Sequence, residues 1–352
     1  MISKKAKAQN AGDKPSTGAE GLSRRSALGR LAAGGSAALA LGGMASIASV
    51  SAQSEPFCGN FPCEPGGALS YPLRALPKRK PDNERRLFRL GAATIAVDAP
   101  VVTMTTLVTP LFGHLPPASG RRAHLHLALT ETDVGLGVWS NAERYFQGAI
   151  DATLAHLHFE AVEVSYRTMP TLAVIHGAAV MAPVGAVLLV GQAGAGKSTL
   201  AAALAARGFR YLADDVCPID ARGRLVPVPS SQCVKAGSWA VLDHDYPVLA
   251  QLAVRERLGH KVKYLPPVVS TPTDWSRPYS IAAVVFSRYG ETSKSSMAPL
   301  SNAQKVAALA TSGSLQGNVD AAALGQWIDA VPAYRLTYAT SDEAAAMLAT
   351  LG

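Results

Sequence analysis

Residues 186–199 read AVLLVGQAGAGKST, and within them Gly191, Gly196, Lys197 and Ser198 match the pattern G-x-x-x-x-G-K-[ST] without a gap. Glycines let backbone N–H groups curl round a phosphate, and a following helix N-terminus adds its positive end. The lysine bridges phosphate oxygens and the serine hydroxyl ligates Mg²⁺. The flanks have the required shape: an apolar run at 186–190 predicts a strand, and 198–207 predicts a helix closed by Gly208. This strand, loop and helix predict a site for ATP and Mg²⁺, with Gly191, Gly194, Gly196, Lys197, Ser198 and Thr199 as the contacts to the nucleotide.

On the upstream side, 172–181 (LAVIHGAAVM) and 186–191 are apolar, strand-like runs joined by Ala182-Pro183-Val184-Gly185, so a hairpin should deliver the loop and set His176 beside it. Downstream, 209–213 predicts a short strand that ends in Asp214-Asp215. Carboxylates at the carboxyl end of a strand, next to a phosphate loop, stand where α/β folds bind ligands. One can hold Mg²⁺ and the other can accept the proton of an attacking hydroxyl. Lys197, Asp214, Asp215 and His176 are therefore the candidate catalytic residues, and Ser198 with Asp215 the candidate metal ligands.

The chain has 352 residues, enough for one large or two modest domains, and its 48% apolar content excludes a disordered chain. Its net charge of +8 invites a nucleic-acid reading, but the first thirty residues hold seven Lys and Arg against Asp13 and Glu20. What remains is too weak for a surface that tracks phosphodiesters, so no nucleic-acid partner is expected. Of four cysteines, Cys217 and Cys233 sit in apolar surroundings as core thiols, while Cys58 and Cys63 could close a small loop if exported. The C-x₄-C spacing has no second pair and is not a zinc signal.

Composition divides the chain. Residues 1–54 combine a polar start with a leader resembling a twin-arginine signal, Ser23-Arg24-Arg25-Ser26-Ala27-Leu28 followed by a weakly apolar run. Residues 55–84 are a Pro/Gly-rich linker, and 85–170 should form a small β-containing lobe in which 88–108 and 122–130 alternate and 142–165 is helix-compatible. His124 and His126, on one face of a strand, could ligate a metal but have no third ligand in view, so they read as a satisfied surface or core pair, as do His156 and His158. Residues 171–352 carry the loop and, later, a basic cluster of Arg255, Arg257, His260, Lys261 and Lys263 that suits a phosphoryl group, an acidic partner or a solvated face. A buried strand is expected at 280–286, helices from Ser301, Asp320 and Ser341, and a strand at 333–338.

The order of His176-Gly177, GQAGAGKST, an alanine-rich helix and then RYLADDV resembles the HPr kinase/phosphorylase family. That resemblance implies a mixed α/β P-loop kinase core similar to phosphoenolpyruvate carboxykinase, and transfer of the γ-phosphoryl group of ATP to a serine of a protein or peptide. It gives Lys197 the β/γ-phosphates, Ser198 the metal and the aspartate pair the base and metal roles, with His176 facing the phosphates. Ala193 and Thr199 stand where the sugar-responsive regulators carry serine and glutamate. The chain is thus more similar to the relatives that modify ribosomal precursor peptides. A nucleotide-gated binding module and a small-molecule kinase are the alternatives. Because the site demands ATP, the expected location is cytoplasmic, with an inner-membrane tether through 23–52, and export is the alternative. A homo-oligomer is compatible with these features.

Overall fold

The chain is seen in a computed structural model that describes residues 71–72, 80–141, 144–268, 275, 277–316 and 319–351. These lie in one compact unit, Met44–Gly352. The other unit, Met1–Gly43, falls outside the described residues, as do Cys58, Cys63 and the leader or tether at 23–52. Among the described residues no helix is long and apolar enough to cross a membrane.

The first strands are β1 (Tyr71–Pro72), β2 (Asn83–Leu90), β3 (Ala93–Pro100), β4 (Arg122–Ala123), β5 (Leu125–Thr132), β6 (Gly135–Ser140) and β7 (Arg144–Gly148). Five of them form a sheet in the order β2-β3-β5-β6-β7. Its buried Leu90, Ile95, Leu125 and Leu127 share a core with Leu154 and Leu157 of helix Ile150–Arg167. Each large aliphatic side chain so buried contributes about 1.5–3 kcal/mol.

Two expectations fail in this part. The β-branched stretch after Pro100 is helical through Val101–Thr103, Met104–Val108 and Thr109–Phe112, with a π-helical middle. Met104, Leu107, Val108, Leu111 and Phe112 are buried at helical spacing, and the Thr105 and Thr106 hydroxyls donate to the carbonyls of Val101 and Val102. Burial of that one stripe overrides the strand preference of valine and threonine. Second, the helix expected over 142–165 starts only at Ile150, because 144–148 is the edge strand β7. Tyr145 sits opposite Trp139 on β6 with ring centroids 4.7 Å apart, a cross-strand aromatic pair.

The remaining strands are β8 (Thr171–Ile175), β9 (Ala178–Ala182), β10 (Gly185–Val190), β11 (Arg210–Asp214), β12 (Cys217–Asp220) and β13 (Gln232–Lys235). They are followed by β14 (Arg255–Arg257), β15 (His260–Leu265), β16 (Ile281–Tyr289), β17 (Ser296–Pro299), β18 (Leu315–Gln316) and β19 (Ala333–Tyr338). A mixed six-stranded sheet in the order β11-β9-β10-β16-β19-β17 carries the loop, and the fold is mixed α/β.

The expected hairpin is present, with Gly185 opposite Ala182 and only Pro183-Val184 between the strands. The run 172–181, however, is not one strand. It breaks at His176-Gly177, so that β8 joins a separate sheet, β12-β8-β18, while β9 pairs with β10. At Gly177 the backbone passes so close to β10 that a Cβ would lie 2.7 Å from the Leu189 carbonyl oxygen. Only glycine fits this close approach.

The loop helix, Lys197–Ala206, is buried on both sides. Leu200 and Leu204 pack with β9, β10 and β16, while Ala202 and Ala203 meet Val234, Leu242 and Tyr246. Small alanines let it fit between the large sheet and the sheet β13-β15-β14. The three late helices are Asn302–Ser312, Ala321–Ala330 and Ser341–Ala349, capped by Ser301, Asp320 and Thr340.

Candidate active site

Because β10, β16 and β19 run parallel and β9 runs against both β10 and β11, the carboxyl ends of β10 and β11 and the amino end of β9 fall on one edge of the large sheet. That topology brings Gly191, Asp214, Asp215 and His176-Gly177 together from separate parts of the chain. All of these but Gly191 line a cleft of about 710 Å³, together with Gly194, Gly196, Lys197, Ser198 and Thr199.

The loop turns through Gly194 and Gly196, at φ 81° and 83°, values that a side chain rarely tolerates. At Gly196 a Cβ would also lie 2.9 Å from the Tyr338 hydroxyl. Gly196 caps the loop helix. Lys197 begins that helix and is 7% exposed, with its ammonium donating to the carbonyls of Gly191 at 2.9 Å and Gln192 at 3.1 Å. Burial lowers its pKa, opposed by the charges of Asp214 and Asp215. Thr199 shares a 2.6 Å hydrogen bond with Ser238, which points its hydroxyl toward the segment after β13.

The two aspartates differ sharply. Asp214, the last residue of β11, is buried, and its Oδ1 accepts a hydrogen bond from the Ser198 hydroxyl at 2.9 Å. Among the described residues its Oδ2 has no hydrogen-bond partner. Burial, reinforced by the neighbouring charge of Asp215, raises the Asp214 pKa to about 8. Asp215 is held at φ 66°, a left-handed conformation that leaves its side chain 32% exposed. Its Oδ2 lies 3.4 Å from Nη1 of Arg257. The Asp215 carbonyl pairs with Nδ1 of His176 at 2.8 Å. A carbonyl can only accept, so Nδ1 carries the proton and Nε2 is the ring nitrogen left for other contacts.

An orphaned carboxylate oxygen beside a serine hydroxyl, at the head of a phosphate loop, fits a hard divalent cation with oxygen ligands. Among the described residues there is no group of three or more His, Cys, Asp or Glu that could hold a metal. The donors that are present suit an ion that takes its remaining ligands from phosphates and water.

Sequence reasoning left Arg257 undistinguished within a basic cluster, and the structure divides that cluster: Arg257, His260 and Lys261 line the cleft, while Arg255 and Lys263 are engaged elsewhere. Arg255 pairs with Asp151 at 3.3 Å, and Lys263 is buried, donating to the Leu249 carbonyl and lying 4.7 Å from the Trp239 ring. Arg257 enters the cleft beside Asp215. Two-residue alternation from Arg255 through Arg257 on a hairpin was the available signal. His158 was likewise read as a packed histidine: it is 2% exposed, its ring stacks at 6.3 Å on Phe112, and burial with the nearby Arg257 charge lowers its pKa to about 4. His124 accepts a backbone hydrogen bond from Thr94 at 2.9 Å.

No family model matches the chain, and no curated protein matches it. Among solved structures it is similar to the HPr(Ser) kinase/phosphatase from Coxiella burnetii, at 14% identity and a TM-score of 0.24, over 51% of this chain and 92% of that one. A likeness of that size assigns no role to any residue here.

Proposed function

We propose that the chain is an ATP- and Mg²⁺-dependent kinase that transfers the γ-phosphoryl group to a serine of a protein or peptide. The observation that carries this is the contrast between the aspartates: one buried, hydrogen-bonded to Ser198 and missing a partner, the other accessible and facing an arginine. A loop that served only to grip a nucleotide would need neither the second carboxylate nor the arginine.

In this reading the loop amides and Lys197 hold the β- and γ-phosphates, with Lys197 exchanging its carbonyl partners for phosphate oxygens. Ser198 and Asp214, rather than Asp215, hold the metal. When bound, Mg²⁺ supplies positive charge against the oxygens of the transferring group. Asp215, open to the cleft, accepts the proton of the serine hydroxyl, and Arg257 orients it and stabilises charge on the phosphoryl oxygens. His176 fixes the strained Asp215 backbone through its Nδ1–H.

The test is transfer of labelled phosphate from ATP to serine peptides. Asp215→Asn should lower transfer by about 10²-fold or more while nucleotide affinity is retained. Lys197→Met should lose nucleotide affinity. Transfer unaffected by Asp214→Asn and Asp215→Asn would remove the assignment, and nucleotide binding with no product in wild type would favour a gated binding module.

A further inference from the structure

We propose that the tip of the β14–β15 hairpin and helix Ile150–Arg167 form the acceptor-docking mouth of this cleft, and that the acceptor is an acidic polypeptide segment presenting an apolar side chain to Leu258 and Phe159. This deepens the kinase reading and rests on it for the word acceptor.

The hairpin register puts Arg257 opposite His260, so Leu258-Gly259 is a two-residue turn with φ 51° and 75°. Positive φ at both positions defines a turn that favours Asn-Gly, and leucine is a strained choice there. Leu258 is also 90% exposed, and Phe159 is 47% exposed. Both line the cleft. Turn chemistry and folding each disfavour an exposed leucine in a left-handed conformation, and such outliers gather where a ligand is gripped. The tip is tied to the helix that carries Phe159, because Asp151 in its first turn accepts from the Glu256 backbone at 2.8 Å and pairs with Arg255. The two apolar contacts therefore belong to one braced mouth.

Charge selects the partner. Lys235 and Lys261 line the same mouth, are exposed, and have no ion-pair partner among the described residues. Of the acids nearby, Glu163 is paired with Arg167 at 2.6 Å and Asp215 with Arg257 at 3.4 Å, while Glu256 stands across the hairpin from Lys261 and leaves Lys235 without a facing acid on its strand. Unpaired lysines beside two exposed apolar side chains suit a segment with carboxylates flanking a large aliphatic residue.

The experiment uses the full chain with Mg²⁺ and a non-hydrolysable ATP analogue. Fluorescence anisotropy follows a labelled peptide with a central serine flanked by leucine and glutamates, against two controls with lysine for glutamate or serine for leucine. Parallel reactions with ATP read phosphate transfer. The acidic leucine peptide should bind about tenfold more tightly than either control. Leu258→Gly should weaken it about tenfold while leaving nucleotide affinity unchanged, and should melt no lower than wild type because it relieves the turn. Lys261→Glu should weaken the acidic peptide and strengthen the lysine control. Equal binding of all three peptides, or affinity untouched by Leu258→Gly, overturns the docking site. If Lys261→Glu instead weakens the nucleotide alone, the mouth serves phosphates and the proposal fails. Leu258-dependent binding without transfer keeps the docking site and removes the kinase, whereas transfer indifferent to peptide charge and to Leu258 keeps the kinase and removes the docking site.

Discussion

Asp214→Asn should gain stability relative to wild type as pH rises from 5 to 8 in the nucleotide-free protein, although it removes a residue of the site. Asp214 is 3% exposed, and its pKa is raised from 3.8 to about 8 by burial and by Asp215. The unfolded chain ionises this carboxyl near the lower value, so between the two values the folded protein binds the extra proton. Stability contributed by the protonated form is complete below the unfolded pKa and is lost as pH rises through the folded one. Each pH unit inside that window costs about 1.4 kcal/mol, which sets a ceiling of about 4 kcal/mol between pH 5 and pH 8. Asparagine has no proton to lose and keeps an oxygen that accepts from Ser198. The stability gap between variant and wild type should therefore grow by about 2–4 kcal/mol over that range, since a relaxed site recovers part of the ceiling. For a fold of this size that is a relative gain of about 4–8 °C in melting temperature. Denaturant or thermal unfolding of both proteins at the two pH values, without nucleotide or Mg²⁺, measures it, and the histidines common to both cancel in the difference. A gap that is equal at pH 5 and pH 8, or that narrows, refutes the account of Asp214 as a carboxylate kept protonated by burial.

Two further outcomes are expected. Gly177→Ala forces a Cβ to within 2.7 Å of the Leu189 carbonyl oxygen and should cost about 1–3 kcal/mol on a urea unfolding curve. Acid should also destabilise the fold, because burial lowers the pKa of both His114 and His158 to about 4; the unfolded chain binds their protons first, and stability is lost as pH falls from 6.5 toward 4. His158→Phe, which keeps the ring between Phe112 and Tyr264, should remove up to about 3 kcal/mol of that loss, and superimposable acid limbs for variant and wild type would contradict it.

The site was legible where it depends on spacing along the chain. Loop, hairpin turn, aspartate pair and His176 all sit in one stretch, His176 to Asp215, around Lys197, and their placement follows from local rules of strand, turn and helix. What escaped depends on contacts between distant elements. Nothing near Arg257 says that a separate three-stranded sheet will swing it to Asp215, 42 positions away in sequence. The break at His176-Gly177 is invisible in an unbroken apolar run, since it shows only in the pairing of β8 and β9 with different sheets. The misread stretch after Pro100 is a different failure: its buried residues recur at helical spacing, and the period was there to be read over the valine and threonine preference.

Four unfavourable features of this chain gather at one place. The left-handed Asp215, the left-handed Leu258, the carboxyl of Asp214 kept from ionising and the desolvated Lys197 all face one cleft, while the left-handed Asn141 and the desolvated His114 lie outside it. The late helices follow the rules closely: helices Asn302–Ser312 and Ser341–Ala349 carry full capping boxes, and helix Ala321–Ala330 has its cap oxygen on two backbone amides. Sequences that specify a single fold satisfy local and global preferences together, and the exceptions persist where something other than folding selects them. Bound phosphate and its cation would relieve two of the four, by giving Lys197 and Asp214 opposite charge in place of backbone carbonyls and an empty contact. Asp215 and Leu258 would stay strained with a nucleotide in place. Their strain belongs to the other side of the cleft, where the proposed kinase would take its second reactant, and relief of the Leu258 turn should therefore alter what the chain binds there and not how it holds a nucleotide.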